Sequence, residues 1–517
     1  MLKRSLVAKV LPGLAVSGVL IASIVASPIG LLGSLSGYGY GVCGYGYNAF
    51  SGTATVTGLS PTSGTTAGGT SVFITGSGYC NTVSAVHFGA SPAQSINVLA
   101  DTLIQAVTPA HAAGVVDVTV TNAAGTSATS SADLYTFITP TPSVYTALSP
   151  QRILDTRTNS GTLGPGGSVN LSVGGIYVPA NATSVVLNVT SADGSTAGFF
   201  TLYPTGGTTP TASNLNWTAG ETVPNLVSVG LSANGDVTIF NGLGSADAIV
   251  DLEGYFAPAS GGSTSGQFVP LAPTRVTDTR AGSGQANAGS TLAAGTTLNV
   301  QVAGFGGVPT TGVTAVVLNV TAVDQTANGF FTVFPKGSTR PTASNLNWIP
   351  GQTVPNRVIV PLVAGVGAES IYNGLGSADA IVDVNGYFTD STASGAGFFT
   401  LFPSRIVDTR NNTGGFGTAP LGAAATMTVT VEGHGGVPAT LVKAVILNVT
   451  VTNPTTASDL VIWPHGATMP TASDLNFAAG QTVPNLVVVK LSAAGAIDIF
   501  NAFGTTHVIV DVVGYYT

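Results

Sequence analysis

Arg152-Ile153-Leu154-Asp155-Thr156-Arg157 is written three times in this chain, again as Arg275-Val276-Thr277-Asp278-Thr279-Arg280 and as Arg405-Ile406-Val407-Asp408-Thr409-Arg410. Each copy is answered roughly a hundred residues later by an Asp-x-x-Gly-Tyr-aromatic segment, at Asp251 to Phe256, Asp383 to Phe388 and Asp511 to Tyr516. Six of the nine arginines belong to these motifs. Self-similarity at a fixed long period signifies copies of one folded unit, not a single large catalytic domain.

The text between the motifs repeats as well. Val185 to Thr190 returns as Val316 to Thr321 and Val445 to Thr450, and Phe199 to Pro204 returns as Phe330 to Pro335 and, loosely, Leu460 to Pro464. Pro210 to Trp217 returns at Pro341 to Trp348 and Pro470 to Phe477, followed each time by Thr-Val-Pro-Asn at Thr222, Thr353 and Thr482. These are strand-sized apolar runs broken by Gly and Pro, and no stretch carries a 3.6-residue apolar period. The expectation is an all-β sandwich or jelly-roll-like unit per repeat, at 144–256, 268–388 and 398–517. Ser/Gly-rich joints at 257–267 and 389–397 read as flexible linkers.

Composition agrees. Only 7% of the 517 residues are charged while 44% are hydrophobic, with 68 glycines and 29 prolines. Disordered chains are poor in Val, Ile and Leu and rich in charge, which this chain is not. A net charge of −8, with no basic run beyond the first ten residues, leaves no footprint for phosphate, so nucleic acid is not an expected partner.

Lys3, Arg4 and Lys9 precede an apolar stretch from Val10 to about Val25, with small residues at Ala26 and Ser27. That is the layout of a secretory signal over 1–27, or of a retained anchor, since apolar residues continue through Ile29, Leu31 and Leu32. Membrane contact is expected only through this segment. A Gly/Tyr-rich low-complexity segment, 28–54, follows and reads as a linker or a sticky contact tract. Cys43 and Cys80 are the only cysteines, compatible with one extracellular disulfide or with pairing to another chain.

From Val56 to Phe137 the chain alternates in short strands with turn residues between them. Leu59-Ser60-Pro61-Thr62-Ser63-Gly64 and Gly68-Gly69-Thr70-Ser71-Val72-Phe73-Ile74-Thr75-Gly76-Ser77-Gly78-Tyr79 resemble the opening of IPT/TIG domains, and Val83 to Gly89 and Val115 to Asn122 fit later strands of that family. The resemblance implies an extracellular immunoglobulin-like sandwich over 55–138, joined to the repeats by a stiff Pro/Thr linker, 139–143. The repeats themselves resemble the tandem "RLLDTR" type repeats of secreted actinobacterial and related bacterial proteins. That resemblance implies cell-surface or extracellular placement and no defined molecular task.

The repeated motifs admit four chemical readings. Period-two alternation puts Asp155 and Arg157 on one strand face, with Arg152 on the other, and Asp251 returns near the end of the unit. The expected result is a structural ion cluster clasping first strand to last: Arg152, Asp155, Arg157 and Asp251, then Arg275, Asp278, Arg280 and Asp383, then Arg405, Asp408, Arg410 and Asp511. Removing Arg157 is then expected to strand a buried carboxylate at a cost of about 3–5 kcal/mol.

Calcium would need several oxygen ligands; the spacing is wrong for a compact loop, and Asp247 and Asp379 correspond to His507, so no cofactor is expected. Trp217 and Trp348 are candidate glycan contacts, although Phe477 in the third copy suits a buried position better. Catalysis is not expected: His87, His111, His434, His465 and His507 share no repeat position, and neither a nucleophile elbow nor a phosphate loop occurs.

These observations predict an exported, non-enzymatic structural or adhesion protein with multivalent modules, its partners being cell-wall polymer, glycan or other surface proteins. Carbohydrate binding is the alternative, and a hydrolase a distant one.

Overall fold

The computed structural model describes residues 52–66 and 68–517. The signal segment, Cys43 and nearly all of the Gly/Tyr-rich segment lie outside the described residues. Among those described, every regular element is a β-strand.

The first domain is a two-sheet sandwich. One sheet runs in the order Thr55–Ser60, Ser71–Ser77, Leu103–Val107, Ser95–Ala100; the other contains Leu134–Ile138, Gly114–Asn122 and Ala85–Phe88. Alternating strand residues supply its core, among them Val72, Ile74, Val86, Phe88, Ile104, Val118, Val120, Tyr135 and Phe137. Cys80 in this domain is disulfide-bonded.

Each repeat is an eight-stranded sandwich of two four-stranded layers, and the inner layers of the first and third repeats join edge to edge as one eight-stranded sheet where Ser143 pairs with Phe398. In the first repeat the inner sheet orders Val223–Gly230, Ser184–Ala192, Asp247–Pro258, Ser143–Asp155, and the outer sheet orders Ser168–Ser172, Asp236–Asn241, Gly198–Pro204, Leu215–Trp217. Numbered one to eight along the chain, these orders are six-three-eight-one and two-seven-four-five, which is jelly-roll connectivity. The second and third repeats reproduce it strand for strand, from Phe268–Asp278 to Asp379–Thr389 and from Phe398–Asp408 to His507–Tyr516. Three separate inter-sheet cores result, rich in Val, Leu and Ile.

A fourth apolar cluster belongs to no single repeat. It joins Val186, Leu226 and Phe256 of the first, Phe268, Val317 and Phe388 of the second, and Phe398, Ile446 and Tyr516 of the third. Strands such as Val185-Val186-Leu187-Asn188 are buried on both faces because one face meets the repeat's own outer sheet and the other meets the neighbouring repeats. The repeats therefore close around a pseudo-threefold axis as one body.

The expected flexible joints are absent for the same reason. Gly266 and Gln267 exchange backbone bonds with Thr389 at 2.7 and 2.8 Å, Phe268 and Ala396 pair at 2.8 Å, and Gly397 pairs with Thr517 at 3.1 Å. The Ser/Gly segments are thereby stitched to the axial end of the block, where unpaired backbone polar groups would be costly. The array is a ring of three modules, not a string of beads.

Candidate functional site

Along the axis the side chains fall into layers, set by the register of the inner strands. At the end where the linkers converge, six rings form a closed aromatic cluster: Phe256 lies 4.0 Å from Phe398, Phe388 lies 4.4 Å from Tyr145, and Tyr516 lies 4.6 Å from Phe268. In each pair the aromatic that ends one repeat contacts the aromatic that opens another. An aliphatic layer with Val186, Val317 and Ile446 comes next.

Below it sits a ring of asparagines. Nδ2 of Asn356 donates to Oδ1 of Asn188 at 3.0 Å, Asn485 to Asn319 at 3.1 Å, and Asn225 to Asn448 at 3.1 Å. In the opposite rotational sense, Nδ2 of Asn188, Asn319 and Asn448 donates to the carbonyls of Ser344, Ser473 and Ser213 at 2.7, 2.8 and 2.7 Å. The Asn-x-Thr asparagines thus find their partners in the adjacent repeat, not their own. Buried amides in a dry seam gain their stabilisation only when every donor and acceptor is matched, which fixes both angle and register of the packing.

A coupled pair of positions breaks the threefold pattern around this ring. Arg357 stands where the other repeats have Leu226 and Leu486, and it is fully buried. Its Nη2 donates to Asp474 at 2.7 Å, its Nε to the Leu486 carbonyl at 3.0 Å, and its Nη1 to Asn385. Asp474 replaces Asn214 and Asn345 of the other repeats. Burial pushes the Asp474 carboxyl up, and the Arg357 guanidinium opposes that shift.

The first arginine of each motif clasps the closing strand of its own repeat. Arg152 grips Asp251 with Nε at 2.7 Å and Nη2 at 3.1 Å; Arg275 grips Asp383 at 2.9 and 3.2 Å, and Arg405 grips Asp511 at 2.9 and 3.1 Å. Each pair is in direct register across the first and closing strands. Arg405 also reaches the Thr211 carbonyl of the first repeat at 3.0 Å, and Arg275 that of Thr471 in the third at 3.5 Å.

Simple alternation placed Arg152 opposite Asp155, and the structure corrects this. A register irregularity between Arg152 and Leu154, repeated between Arg275 and Thr277 and between Arg405 and Val407, brings arginine and aspartate to one side, with Arg152 3.5 Å from Asp155. Arg157 chelates Asp155 at 2.9 and 2.7 Å, but its side chain is 43% exposed, as are those of Arg280 and Arg410 over Asp278 and Asp408. The Arg157 hydrogen bonds hold the Asp155 carboxyl below the usual range. For Asp278 and Asp408 burial pulls upward, and the Arg280 and Arg410 bonds outweigh it.

The threonine of the motif also acts. Oγ1 of Thr156 donates to Asp247 at 2.7 Å and Oγ1 of Thr279 to Asp379 at 2.6 Å, while Thr409 meets His507 Nδ1 at 3.0 Å. The change from Asp to His therefore keeps a hydrogen bond at the start of the closing strand. Among the described residues no group of three His, Cys, Asp or Glu side chains could hold a metal ion.

Trp217 and Trp348 are not exposed platforms: they are 3% and 4% exposed, in the inter-sheet cores, with Phe200 and Phe331 packed against them at 4.5 and 4.6 Å. The neighbouring residues open instead onto a cavity of about 220 Å³ on the axis, at the pole opposite the aromatic cluster. Asn216, Asn347 and Asn476 line it, with the Val-Pro steps at Val223, Val354 and Val483 from all three repeats. Sequence reasoning missed this cup because its wall is completed only when three distant Thr-Val-Pro-Asn segments meet.

No curated protein matches the chain. Solved structures resemble parts of it. SGBP-B from a complex xyloglucan utilization locus in Bacteroides uniformis is 10% identical over 40% of this chain and 74% of that one, with a TM-score of 0.15. SGBP-B of Bacteroides ovatus, in complex with a mixed-linkage heptasaccharide, is 13% identical over 39% and 52%, with a TM-score of 0.18. A protein of the triple jelly roll and turret assembly of an archaeal virus is 10% identical over 72% and 90%, with a TM-score of 0.16. Scores this low transfer neither fold nor role. Residues 54–137 match the IPT/TIG domain family, and that segment of the chain is an IPT/TIG domain.

Proposed function

We propose that this is an exported, non-enzymatic surface protein, in which an IPT/TIG domain is mounted on a rigid structural block made of three fused jelly rolls. The carrying observation is the shared axial core, with its aromatic cluster and asparagine ring spanning all three repeats. An enzyme needs polar groups aimed at a substrate; here the motif arginines and aspartates are spent on one another within each repeat, and the ring asparagines on one another across the seams. The block acts as one unit, so adhesion or surface packing would use its outer faces as a whole and not three independently moving modules. The layout of Lys3 to Ser27 and the resemblance to "RLLDTR" type repeats support export.

Two measurements test this reading. Fractionation of producing cells should recover the protein in wall, membrane or medium, and calorimetry should show the three repeats melting in one transition. Recovery in the cytosol, or three separate repeat transitions, would refute it.

A further inference from the structure

Thr222, Thr353, Thr482 and Ser458 line the axial cup together with six amide or carboxylate side chains: Asn216, Asn347 and Asn476, with Glu221, Gln352 and Gln481. Each of the latter is pinned on one side by the protein. Ser213, Ser344 and Ser473 donate through Oγ to the Oδ1 atoms of the three asparagines at 3.0, 2.9 and 3.0 Å. Backbone N–H groups of Ile349 and Ala478 donate to Oε1 of Gln352 and Gln481 at 3.1 and 2.7 Å. Thr218 donates from its N–H and its Oγ1 to Oε2 of Glu221, both at 3.0 Å.

These bonds orient the side chains by occupying an acceptor position on each oxygen, and they leave five amide N–H2 groups, together with Oε1 of Glu221, for something else. The half-buried valines and buried prolines of the Thr-Val-Pro-Asn segments form an apolar floor beneath them. Donors already oriented by second bonds lose little freedom when a ligand arrives, which is the condition for a built site.

The charge pattern selects the ligand. An anion would meet a carboxylate and no cation; a metal ion would meet five N–H2 groups and one carboxylate. A neutral sugar ring satisfies every group: its hydroxyl oxygens accept from the amides, one hydroxyl donates to Glu221, and its C–H face rests on proline and valine. A volume of about 220 Å³ lies under the ~300–1,000 Å³ of sites for drug-sized ligands, which limits the occupant to about one ring. Glu221 in place of glutamine, and Phe477 in place of tryptophan, break the threefold symmetry and so favour one orientation of an asymmetric ring.

We infer that the axial cup binds a single neutral sugar residue. The inference draws on the proposed export only for the supply of glycan; the cup itself stands on its geometry.

Saturation-transfer NMR on the purified full chain, with glucose, galactose, mannose, N-acetylglucosamine, glucuronic acid and inorganic phosphate as probes, tests it. At least one neutral sugar should bind saturably. Gln352→Trp, which fills the cup from its rim, should weaken that binding at least about tenfold, as should Glu221→Gln, each corresponding to loss of one good polar contact or more. Val115→Ser, on the exposed surface of the IPT/TIG domain, should leave it unchanged. Should Gln352→Trp fail to fold, Asn347→Ala supplies the same comparison by removing one donor. Absence of binding by every neutral sugar, binding that survives the cup variants, or preference for glucuronic acid or phosphate would each overturn the inference. None of these results would alter the single melting transition on which the structural reading is judged.

Discussion

Glu369 is a carboxylic acid in the wrong place, and its substitution offers the sharpest measurement. It occupies the position held by Val237 and Ile497 in the other repeats, residues that point into the inter-sheet cores. Its cross-strand neighbours are Val300 and Pro335. Neither carboxylate oxygen has a partner, the side chain is fully buried, and burial pushes its pKa from 4.5 up to about 8.

Because the folded value is raised, the contribution to stability is fully present below about pH 4.5 and is lost as pH rises through about 8. At ~1.4 kcal/mol per unit, the loss across that window is about 5 kcal/mol. Glu369→Val removes the titrating group and restores the residue of the first repeat.

Urea denaturation of both proteins between pH 4.5 and 9 isolates the effect, since other buried acids such as Glu253 are common to both. The stability difference in favour of the variant should widen steadily with pH and level off above pH 8. Glu369→Gln should follow the pH dependence of Glu369→Val while retaining an unsatisfied buried amide. Parallel pH profiles for wild type and Glu369→Val would show that the carboxyl is solvated or paired in the folded protein, and the reasoning would fall.

Arg357→Leu should destabilise the block by about 3–5 kcal/mol in thermal or urea melts by stranding Asp474, whereas adding Asp474→Asn should restore most of the loss, because the double variant recreates the Leu486 and Asn214 combination of the seam between the third and first repeats. Arg157→Ala should cost no more than about 1 kcal/mol, since that side chain is 43% exposed and Asp155 keeps Arg152, which corrects the larger value expected from the motif alone. Arg152→Ala should cost about 3 kcal/mol by leaving the buried Asp251 unpaired, a contrast readable from urea midpoints of the two variants. Tyr516→Ala should cost about 3–5 kcal/mol and lower the melting of all three repeats together in calorimetry, because its ring sits among aromatics of every repeat.

The strands were legible in the sequence because Gly and Pro bracket each apolar run, and the repeats because the Arg-x-x-Asp-Thr-Arg pattern recurs at a regular spacing. The ring was not read, although its signal was present. The strand opens with the unbroken apolar run Val185-Val186-Leu187, where a sandwich strand with one wet face would have shown a polar residue. Such a run demands cover on both sides, and only another repeat could supply it.

The position of Arg152 was misread for a local reason, since a bulge changes which residues share a face and has no fixed sequence mark. Trp217 attracted attention as the rare residue, whereas the cup is lined by its modest neighbour Asn216, whose meaning depends on residues a hundred or more positions away.

The seam between the first and third repeats has a consequence for biogenesis. Asn448 donates to Ser213, and Phe398 and Tyr516 complete the aromatic cluster begun by Tyr145 and Phe256. A chain emerging from its amino end must therefore hold the first jelly roll with a naked hydrophobic flank until the final strand arrives. Contacts so distant along the chain close slowly. The newborn protein passes through a vulnerable interval in which two such half-built molecules can exchange partners.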